Sequence, residues 1–454
     1  MTTICAISTP PGMGATAMIR ISGPDAFSIA GSIFQTPSDI AGLQPNRAKF
    51  VSIVDNSEDK QTLLDQAVVT KFAAPHSFTG EDVVEISCHG SVFIQQRIIE
   101  LLIANGCRMA APGEFTQRAF LNGKLDLPQA EAIADLIEAQ SESAHQLAMR
   151  QLRGELSGKM AVLRDELLQM ASLIELELDF SEEEVEFADR TALLDLLSNI
   201  KAEVHRLLQS YRWGTMLKNG IPVAIAGEPN VGKSTLLNAL LQRERAIVSD
   251  IPGTTRDTIE DSFTLNGTLF RFIDTAGIRE SDDTVERLGI ERTFNAIRQA
   301  AIVLWVVDAQ KSDKEIEAEL ANVPQAVNSD VTKIILIGNK SDLLPHPSER
   351  NKQLIPISAK QGENLDAVLR EIDSFVRENR VQDAVLLTSA RHQSLLAGIL
   401  SATERAEEGL RNLVPTDLVA EDIRMALHDL GELTGTISTD DILNNIFGKF
   451  CIGK

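Results

Sequence analysis

Apolar residues in the first part of the chain form short runs that are separated by proline and glycine. Four runs rich in β-branched residues predict strands over 2–8, 17–22, 67–72 and 82–87. A fifth stretch, 95–104, has the apolar spacing of a helix. The pattern predicts a compact α/β or α+β domain over residues 1–118.

Helical spacing dominates from residue 119 to about residue 213. The apolar positions of this pattern are Leu127, Ala130, Ala134, Ile137, Leu193, Leu197, Ile200, Val204 and Leu208. Pro128 suits the first turn of a helix, where its missing N–H is not needed. The acidic run over 175–186 lies between the two apolar sets, and we interpret it as a solvated face or loop rather than a metal site.

Strands and helices alternate in the next part of the chain. The predicted strands cover 221–226, 258–265, 268–274, 301–308, 333–338 and 353–357. Asn266 and Gly267 separate two of them, which predicts a two-residue hairpin turn. Helical spacing returns after residue 379, so we expect one helical domain that receives an inserted domain, because inserted domains have neighbouring termini. The predicted boundaries are 1–118, 119–218, 219–379 and 380–454, with the second and fourth segments forming the helical domain.

Composition and charge narrow the class of protein. The 454 residues suffice for about three domains, and 43 basic against 65 acidic residues leave a net charge of −22. That charge repels phosphate backbones and anionic membranes, so we expect RNA to be met at a local basic patch or through another protein. No run of roughly 18 apolar residues occurs, and the four cysteines form no CxxC pair. We expect a cytoplasmic protein with no membrane span.

A phosphate-binding loop is predicted between the first inserted strand and the helix that follows it. Residues 227–234 are Gly-Glu-Pro-Asn-Val-Gly-Lys-Ser, which match G-x-x-x-x-G-K-[ST]. Glycines let backbone N–H groups approach phosphate oxygens, Lys233 can neutralise the β- and γ-phosphates, and Ser234 can bind Mg²⁺.

Three further motifs follow in the order that a GTP-binding domain requires. Residues 274–277 (Asp-Thr-Ala-Gly) end a strand, where the aspartate can support the magnesium shell and the glycine N–H can meet the γ-phosphate. In 339–342 (Asn-Lys-Ser-Asp), the Asp342 carboxylate can accept hydrogen bonds from N1–H and the 2-amino group of guanine, neither of which adenine offers. Residues 358–360 (Ser-Ala-Lys) can frame the base with backbone donors. We therefore predict a Ras-like P-loop domain that binds GTP.

The residues that would assist hydrolysis are less evident. Within the switch segment 249–257 we choose Thr255 as second Mg²⁺ ligand, with Thr254 as the alternative. Ras-like proteins commonly place a glutamine where this chain has Ile278, whose side chain cannot hold water. Arg279, Glu280 and Glu286 are nearby candidates, although each is also explained as a solvated switch residue. The Asn230 amide oxygen and carbonyls of the switch segment suit a weakly hydrated cation, and K⁺ there would replace an arginine finger.

Five short motifs lie outside the GTP-binding block. They are Ile-Arg-Ile-Ser-Gly at 19–23, Ser-Phe-Thr-Gly-Glu-Asp at 77–82, Pro-Gly-Glu-Phe at 112–115, RAFLNGKLDL at 118–127 and Phe-Cys-Ile-Gly-Lys at 450–454. With the GTP motifs, they make the chain resemble the MnmE (TrmE) family of tRNA-modification GTPases along essentially its full length. The resemblance implies an N-terminal tetrahydrofolate-binding and dimerisation domain, a helical domain, and an inserted G domain.

For activity, the resemblance implies GTP hydrolysis that is stimulated by K⁺ and by pairing of G domains across a homodimer. Hydrolysis would be coupled to modification at C5 of the wobble uridine in certain tRNAs. A tetrahydrofolate derivative, in the 5-formyl or methylene form, would supply one carbon of an aminomethyl or carboxymethylaminomethyl group. The implied partner is an FAD- and NADH-using protein, MnmG, which would form a heterotetramer with the dimer and hold most of the tRNA.

Site residues follow from the match to the family's motifs. The implied ligands are Ser234 and Thr255 for Mg²⁺, and Asn230, Ser249, Ile251 and Thr254 for K⁺. Glu286 matches the catalytic acid that orients water through a relay, and the implied folate residues are Arg20, Glu85, Lys124 and Lys454. Cys451 is either a reactive thiol or a small residue beside the folate. The GTP-binding set is Asn230, Val231, Gly232, Lys233, Ser234, Thr235, Ser249, Asp250, Ile251, Pro252, Gly253, Thr254, Thr255, Asp274, Thr275, Ala276, Gly277, Asn339, Lys340, Ser341, Asp342, Ser358, Ala359 and Lys360.

Two other functions compete with tRNA modification. One is a GTP-dependent switch in ribosome assembly or regulation with no modifying role, and the other is a folate-dependent methyltransferase with a regulatory GTPase. A plain assembly GTPase requires neither Arg20, Glu85 and Lys124 nor the terminal CIGK, which favours the modifying role. Glu228 departs from the family pattern by placing an acid inside the phosphate loop, a change expected to weaken nucleotide affinity.

Overall fold

The computed structural model describes residues 2–55, 61–179, 190–243, 261–273, 295–321, 332–344, 354–379 and 385–453. The fold combines an N-terminal α+β part, a set of long helices and a P-loop α/β part, which confirms the predicted fold class. Two compact units emerge from the contacts: Met1–Ala134 with Gln151–Ile200 and Gly398–Lys454, and Asp135–Arg150 with Lys201–Ala397. The four domain boundaries inferred from the sequence stay a prediction.

A six-stranded sheet forms the N-terminal part of the first unit. Its strands are β1 Ile4–Ile7, β2 Thr16–Ser22, β3 Arg47–Asp55, β4 Thr62–Phe72, β5 Val83–His89 and β6 Arg108–Met109, in the order β3-β4-β5-β2-β1-β6. All neighbours are antiparallel except β1 and β6. The accompanying helices are α1 Ala26–Ser32, α2 Ser38–Ala41, α3 Val92–Ala104 and α4 Glu114–Leu121.

Apolar and charged side chains alternate along the strands of this sheet, so they lie on opposite faces. Ile19, Ile21, Val84 and Ile86 are buried in one core with side chains of α1 and α3. The residues between them, such as Arg20 and Glu85, point to the other face and remain partly exposed. The functional candidates of this sheet are therefore on the face opposite α1 and α3.

Helices dominate the chain on both sides of the inserted block. They are α5 Leu127–Glu138, α6 Glu142–Leu152, α7 Glu155–Asp179, α8 Arg190–Asn219 and, after the inserted block, α12 Ala390–Arg411, α13 Thr416–Thr434 and α14 Asp440–Phe447. Pro128 lies in the first turn of α5, as predicted. Within the first unit α7 packs against α13, so helices from before and after the inserted block share one core. Leu193, Leu197, Ile200 and Val204 are buried, whereas Ile137 is half-exposed.

The inserted block has a second six-stranded sheet, which is parallel except for one hairpin. Its strands are β7 Ile221–Ala226, β8 Ser262–Leu265, β9 Thr268–Phe272, β10 Ile302–Asp308, β11 Lys333–Asn339 and β12 Ile355–Pro356, in the order β12-β11-β10-β7-β9-β8. Its described helices include α9 Lys233–Arg243, α10 Asp313–Leu320 and α11 Leu365–Asn379.

The predicted hairpin turn is confirmed. Leu265 pairs with Thr268, and the two residues between them, Asn266 and Gly267, have φ values of 49° and 78°. Two consecutive positive φ values are typical of the two-residue turn that matches strand twist, and asparagine and glycine adopt them at least cost. Among the helices in the described ranges, none has the length and the apolar composition that crossing a bilayer requires.

Candidate functional site

Three of the predicted GTP motifs, together with Asp308, lie at one edge of the second sheet. The parallel strands β7, β10, β11 and β12 are neighbours, and their carboxyl ends lead into the phosphate loop, Asp308, residues 339–342 and residues 358–360 respectively. In open α/β sheets, ligands bind in the crevice outside the carboxyl ends of the strands. The topology therefore brings together motifs that are separated by more than a hundred residues in the sequence.

The phosphate loop has a backbone that only small or turn-forming residues adopt easily. Gly227, Asn230 and Gly232 have φ values of 138°, 62° and 99°. A Cβ at Gly227 would lie 2.1 Å from the Val306 carbonyl oxygen, and one at Gly232 would lie 2.2 Å from Asn339 Nδ2. Side chains at the two glycines would therefore push the loop away from the strands that support it.

Lys233 lies across this loop. Its Nζ donates hydrogen bonds to the carbonyl oxygens of Gly227 at 2.9 Å and Glu228 at 2.8 Å. Burial lowers the pKa of Lys233, an effect that the nearby Glu319 carboxylate partly offsets. A phosphate in the loop would restore a counter-charge to this ammonium, so the residues present fit the triphosphate that the motif predicts.

Asn339 connects three of the predicted segments. Its side chain is 4 % exposed, its Nδ2 donates to the Val231 carbonyl oxygen at 2.7 Å, and its Oδ1 accepts from the Ala359 N–H at 3.0 Å. The phosphate loop, the 339–342 motif and the 358–360 motif are thus joined through one buried amide. Because both backbone groups are shielded from water, the amide is the partner they need.

Asp308 is a residue of this edge that sequence analysis missed. It ends β10, and its Oδ2 accepts a hydrogen bond of 2.6 Å from Lys340 Nζ. Although burial acts in the opposite direction, the Lys340 ammonium and the Gln310 N–H hold the pKa of Asp308 below its usual range. Lys340 itself has a left-handed φ of 66°. The sequence feature that could have identified Asp308 is the position of an acid at the end of an otherwise apolar strand.

The base-reading carboxylate lies at the surface of a short turn. Asp342 is exposed within the 3₁₀ turn Ser341–Leu343, and the Ser341 N–H donates to the Ile357 carbonyl oxygen at 3.0 Å. Ser358 is fully buried and its Oγ accepts from the Gln361 N–H at 3.2 Å. The Gln361 side chain makes a long contact of 3.5 Å with Asp342. The two turns therefore place the Asp342 carboxylate beside the 358–360 motif.

The ligand sets for the two metals are only partly within the described residues. Ser234 and Thr235 are exposed in the first turn of α9, where a hydroxyl oxygen suits Mg²⁺. Asn230 stands in the loop two residues before Gly232. The predicted residues that lie outside the described ranges are Ser249, Asp250, Ile251, Pro252, Gly253, Thr254, Thr255, Asp274, Thr275, Ala276, Gly277, Glu286 and Lys454, together with Ile278, Arg279 and Glu280.

A second candidate site lies on the open face of the N-terminal sheet. Arg20 of β2 pairs with Glu85 of β5 in the strand register, and Arg20 Nε and Nη2 donate to Glu85 Oε1 at 3.0 and 2.7 Å. The guanidinium lies 5.6 Å from the ring centroid of Phe78 and 5.7 Å from that of Phe115. The structure therefore brings two predicted folate residues into direct contact beside a partly exposed aromatic ring.

Lys124 reaches the same neighbourhood through the loop 77–82. A Cβ at Gly80 would lie 3.3 Å from Lys124 Cε, and Asn122 Nδ2 donates to the Thr79 carbonyl oxygen at 2.7 Å. Phe78, which packs beside Arg20, belongs to this loop. Arg20 and Lys124 thus both lie against this loop, and Glu85 is joined to it through its pair with Arg20.

Buried ion pairs hold that loop in place, and sequence analysis had assigned them no role. Arg118 is 3 % exposed, and it donates to Glu81 Oε2 at 2.9 Å, to Glu114 Oε1 at 2.9 Å and to the Thr2 carbonyl oxygen at 2.8 Å. Although burial opposes the effect, Arg108, the Ala111 N–H and Arg118 hold the pKa of Glu114 below its usual range. The motifs at 77–82, 112–115 and 118–127 therefore meet in one network.

The carboxyl-terminal segment lies against the start of the chain. Ser8 Oγ donates to the Gly453 carbonyl oxygen at 3.2 Å, and the Gly113 N–H donates to the Cys451 carbonyl oxygen at 3.4 Å. A Cβ at Gly453 would lie 2.4 Å from the Ile7 carbonyl oxygen. Cys451 is exposed. The CIGK motif is thereby brought to the N-terminal sheet, although Lys454 lies outside the described residues.

Comparisons with known proteins cover nearly the whole chain. Residues 3–124 match the family model "GTP-binding protein TrmE N-terminus", and residues 127–451 match "MnmE helical domain". The chain is 48% identical over 464 residues to the tRNA modification GTPase MnmE of Flavobacterium johnsoniae, with 99% of each covered. It is 48% identical over 470 residues to the protein of the same name from Parabacteroides distasonis, with 100% of each covered.

Solved structures give more local matches. Aquifex aeolicus Era is 26% identical, with a TM-score of 0.26 over 40% of this chain and 66% of that chain. The G domain of the T. maritima FeoB iron transporter is 23% identical, with a TM-score of 0.24 over 34% of this chain and 98% of that chain.

Proposed function

We propose a reaction for this chain from the premise that it belongs to the MnmE family of tRNA modification GTPases and is a GTP hydrolase. In this proposal GTP hydrolysis is activated by K⁺. It is coupled to the addition of an aminomethyl or carboxymethylaminomethyl group at C5 of the wobble uridine in certain tRNAs. A tetrahydrofolate derivative supplies the one-carbon unit, and an FAD-dependent partner of the MnmG type completes the reaction.

One observation carries the nucleotide part of the proposal. Asn339 bonds both to Val231 of the phosphate loop and to Ala359 of the turn beside Asp342. A single ligand that spans these segments must therefore offer phosphate at one end and a base at the other. The Lys233 ammonium supports the phosphate end and the exposed Asp342 carboxylate supports guanine selection.

Two cations complete the charge balance in this proposal. Mg²⁺, bound through Ser234 and Thr255, and K⁺, bound through Asn230, Ser249, Ile251 and Thr254, would supply positive charge at the phosphates when present. Lys233 positions the phosphates, because its ammonium is held over the loop by two carbonyl oxygens. Glu286 positions the attacking water through a relay, a role assigned by its match to the family's catalytic acid. Ile278 stands where Ras-like proteins commonly place a glutamine for this purpose.

The folate part of the proposal rests on the pair Arg20–Glu85. A carboxylate can bind the ring N–H and amino group of a pterin, and the Phe78 ring, which is 39 % exposed, offers a stacking surface beside it. Lys124 and Lys454 are cations suited to the glutamate tail of the cofactor. The arrangement of Arg20, Glu85 and Lys124 around the loop 77–82 supports one pocket rather than three unrelated surface charges.

We also propose that the protein works as a cytoplasmic homodimer that binds the MnmG-type partner as a heterotetramer. The net charge of −22 supports an arrangement in which the partner holds most of the tRNA, because an acidic surface repels a phosphate backbone. Pairing of G domains across the dimer would then complete the catalytic site. A regulatory or ribosome-assembly switch is the alternative function, and it requires no folate pocket.

The cation mechanism is tested by steady-state GTP turnover in KCl and NaCl at equal ionic strength. We expect turnover in KCl to exceed that in NaCl by at least about tenfold, because the cation replaces an arginine finger, whose effect is larger still. Equal rates in the two salts would remove K⁺ from the mechanism while leaving GTP hydrolysis intact.

The modifying role is tested by mass spectrometry of wobble uridines in cells that lack this protein. Complementation with wild type is expected to restore the modification and Glu85→Gln to reduce it severely. Glu100→Gln is the matched control, because it disrupts another arginine–glutamate pair of the same unit, with Arg97, at an exposed helix position. Wobble uridines that are unchanged by loss of the protein would favour the switch function instead.

A further inference from the structure

The acid in the phosphate loop has a cation placed next to it. Glu228 is 54 % exposed, and its Oε2 accepts a hydrogen bond of 2.5 Å from Lys311 Nζ. Lys311 follows β10, more than eighty residues along the chain from the loop. An acid in a phosphate-binding loop repels the phosphates of its ligand. The ion pair with Lys311 reduces that repulsion.

A buried carboxylate fixes the position of that cation. Lys311 Nζ also donates to Glu319 Oε2 at 2.8 Å, and the Glu319 side chain is only 7 % exposed. The other oxygen, Glu319 Oε1, is buried with no hydrogen-bond partner among the described residues. The ammonium therefore offsets a buried charge that would otherwise be costly, and this second contact is independent of the Glu228 side chain.

Local hydrogen bonds stabilise the segment that carries Lys311 and Glu319. The Lys311 N–H donates to the Asp308 carbonyl oxygen at 3.1 Å. Ser312 and Glu315 form a capping box at the start of α10, the helix that carries Glu319. Hydrogen bonds from Lys311 to Glu228 and Glu319 also raise the pKa of Lys311. Glu319 and the capped start of α10 therefore help to position the Lys311 ammonium beside the loop acid.

We propose that Lys311 is a specificity-determining residue of the GTP site: by offsetting the charge of Glu228, it permits tight binding of the more highly charged triphosphate. This proposal rests on GTP binding alone and is independent of K⁺ activation, folate or tRNA. Glu228, Lys311 and Glu319 together carry one net negative charge. Removing Lys311 doubles that negative charge, and removing the charge of Glu228 leaves the neutral pair Lys311–Glu319.

The two single substitutions should therefore change affinity in opposite directions. Lys311→Met is expected to weaken binding of a non-hydrolysable GTP analogue roughly tenfold and GDP less, because GDP carries one negative charge fewer. Glu228→Gln is expected to tighten binding of the analogue roughly threefold, and the double variant is expected to return close to wild type. If the ion pair merely held the loop in shape, both single variants would weaken binding, by the same factor for both nucleotides.

The experiment is isothermal titration calorimetry on the full chain with the non-hydrolysable GTP analogue and with GDP, each in the presence of Mg²⁺. Low and high concentrations of tetramethylammonium chloride are used so that K⁺ does not enter. Lys311→Arg keeps the charge and should bind within about twofold of wild type. Lys314→Met removes an exposed lysine of α10, three residues after Lys311, and changes the net charge equally, so it controls for long-range effects.

The measured affinities either support the proposal or overturn it. Opposite signs for Lys311→Met and Glu228→Gln, with differences that shrink in high salt, support the proposal. Equal signs, a Lys314→Met effect as large as that of Lys311→Met, or losses that are independent of salt and of phosphate number would overturn it. Because Glu228→Gln leaves the pair between Lys311 and buried Glu319 intact, this variant decides the sign even if Lys311→Met is poorly folded.

Discussion

Asn339→Ala is the sharpest test of how the nucleotide site is held together. The substitution removes the two hydrogen bonds by which one amide joins the phosphate loop to the turn at 358–360. It leaves the Val231 carbonyl and the Ala359 N–H without partners. Both residues are buried, at 2 % and 4 % exposure, so water does not readily replace the amide.

The magnitude follows from that burial. A buried polar group that loses its partner costs about 1–3 kcal/mol, so two such groups predict a loss of about 2–6 kcal/mol in the free energy of unfolding. Asn379→Ala is the matched control: its Nδ2 also donates to a backbone carbonyl, that of Phe375, at 2.8 Å, but it lies exposed at the end of α11. Water can replace that bond, so we expect a loss below about 1 kcal/mol.

Urea unfolding followed by tryptophan fluorescence measures the difference directly. The only two tryptophans of the chain, Trp213 and Trp305, both belong to the second unit, and Trp213 packs edge-on against Phe375 with ring centroids 5.9 Å apart. The signal therefore reports the unit that contains Asn339. If Asn339→Ala and Asn379→Ala lower the unfolding free energy equally, the buried amide does not hold the motifs together and the argument fails.

Three further predictions concern single side chains. Asp342→Asn should shift preference from GTP towards xanthosine triphosphate by more than about tenfold in a competition assay, and unchanged selectivity would show that another group reads the base. Glu286→Ala should slow GTP turnover while nucleotide affinity stays within about threefold, whereas lost affinity would make the residue structural. Since the pKa of Glu114 is lowered in the folded state, its contribution to stability is present above its unfolded pKa of about 4.3 and is lost as pH falls through the folded value. Glu114→Gln should therefore make the stability of the first unit less dependent on pH between about pH 5 and pH 3. Thermal unfolding at several pH values measures this, and a variant whose unfolding temperature falls as steeply with pH as that of wild type would contradict it.

Short segments whose backbone conformation is set by their own residues could be predicted from the sequence. The Asn266–Gly267 turn and the phosphate loop depend on residues that tolerate positive φ, and both were found from local chemistry. Strand β3, Arg47–Asp55, was missed because it is paired on one side only, at the edge of the sheet. Much of it is exposed, so its apolar alternation is weak.

Long-range partners were missed for a different reason. Asp308 and Lys311 belong to no motif, and Arg118 belongs to one without any predicted role of its own. The contacts of all three include residues distant in sequence. Charged side chains at such positions are most often solvated, so nothing local separates a buried ion pair from a surface charge. Only the register of β2 with β5 revealed that Arg20 and Glu85 are partners rather than independent ligands.

The GTP motifs and the alternation of strands and helices could be inferred from the amino-acid sequence alone, because they depend on local spacing and on the backbone preferences of a few residues. The family could be inferred too, because its motifs are contiguous in the sequence. Which charged residues act together became evident only from the folded chain. Ion pairing and desolvation depend on distance in space, and parallel strand order brings residues 231, 339 and 359 to one buried amide. That convergence cannot be computed from spacing along the chain, since it is set by the packing of the whole sheet.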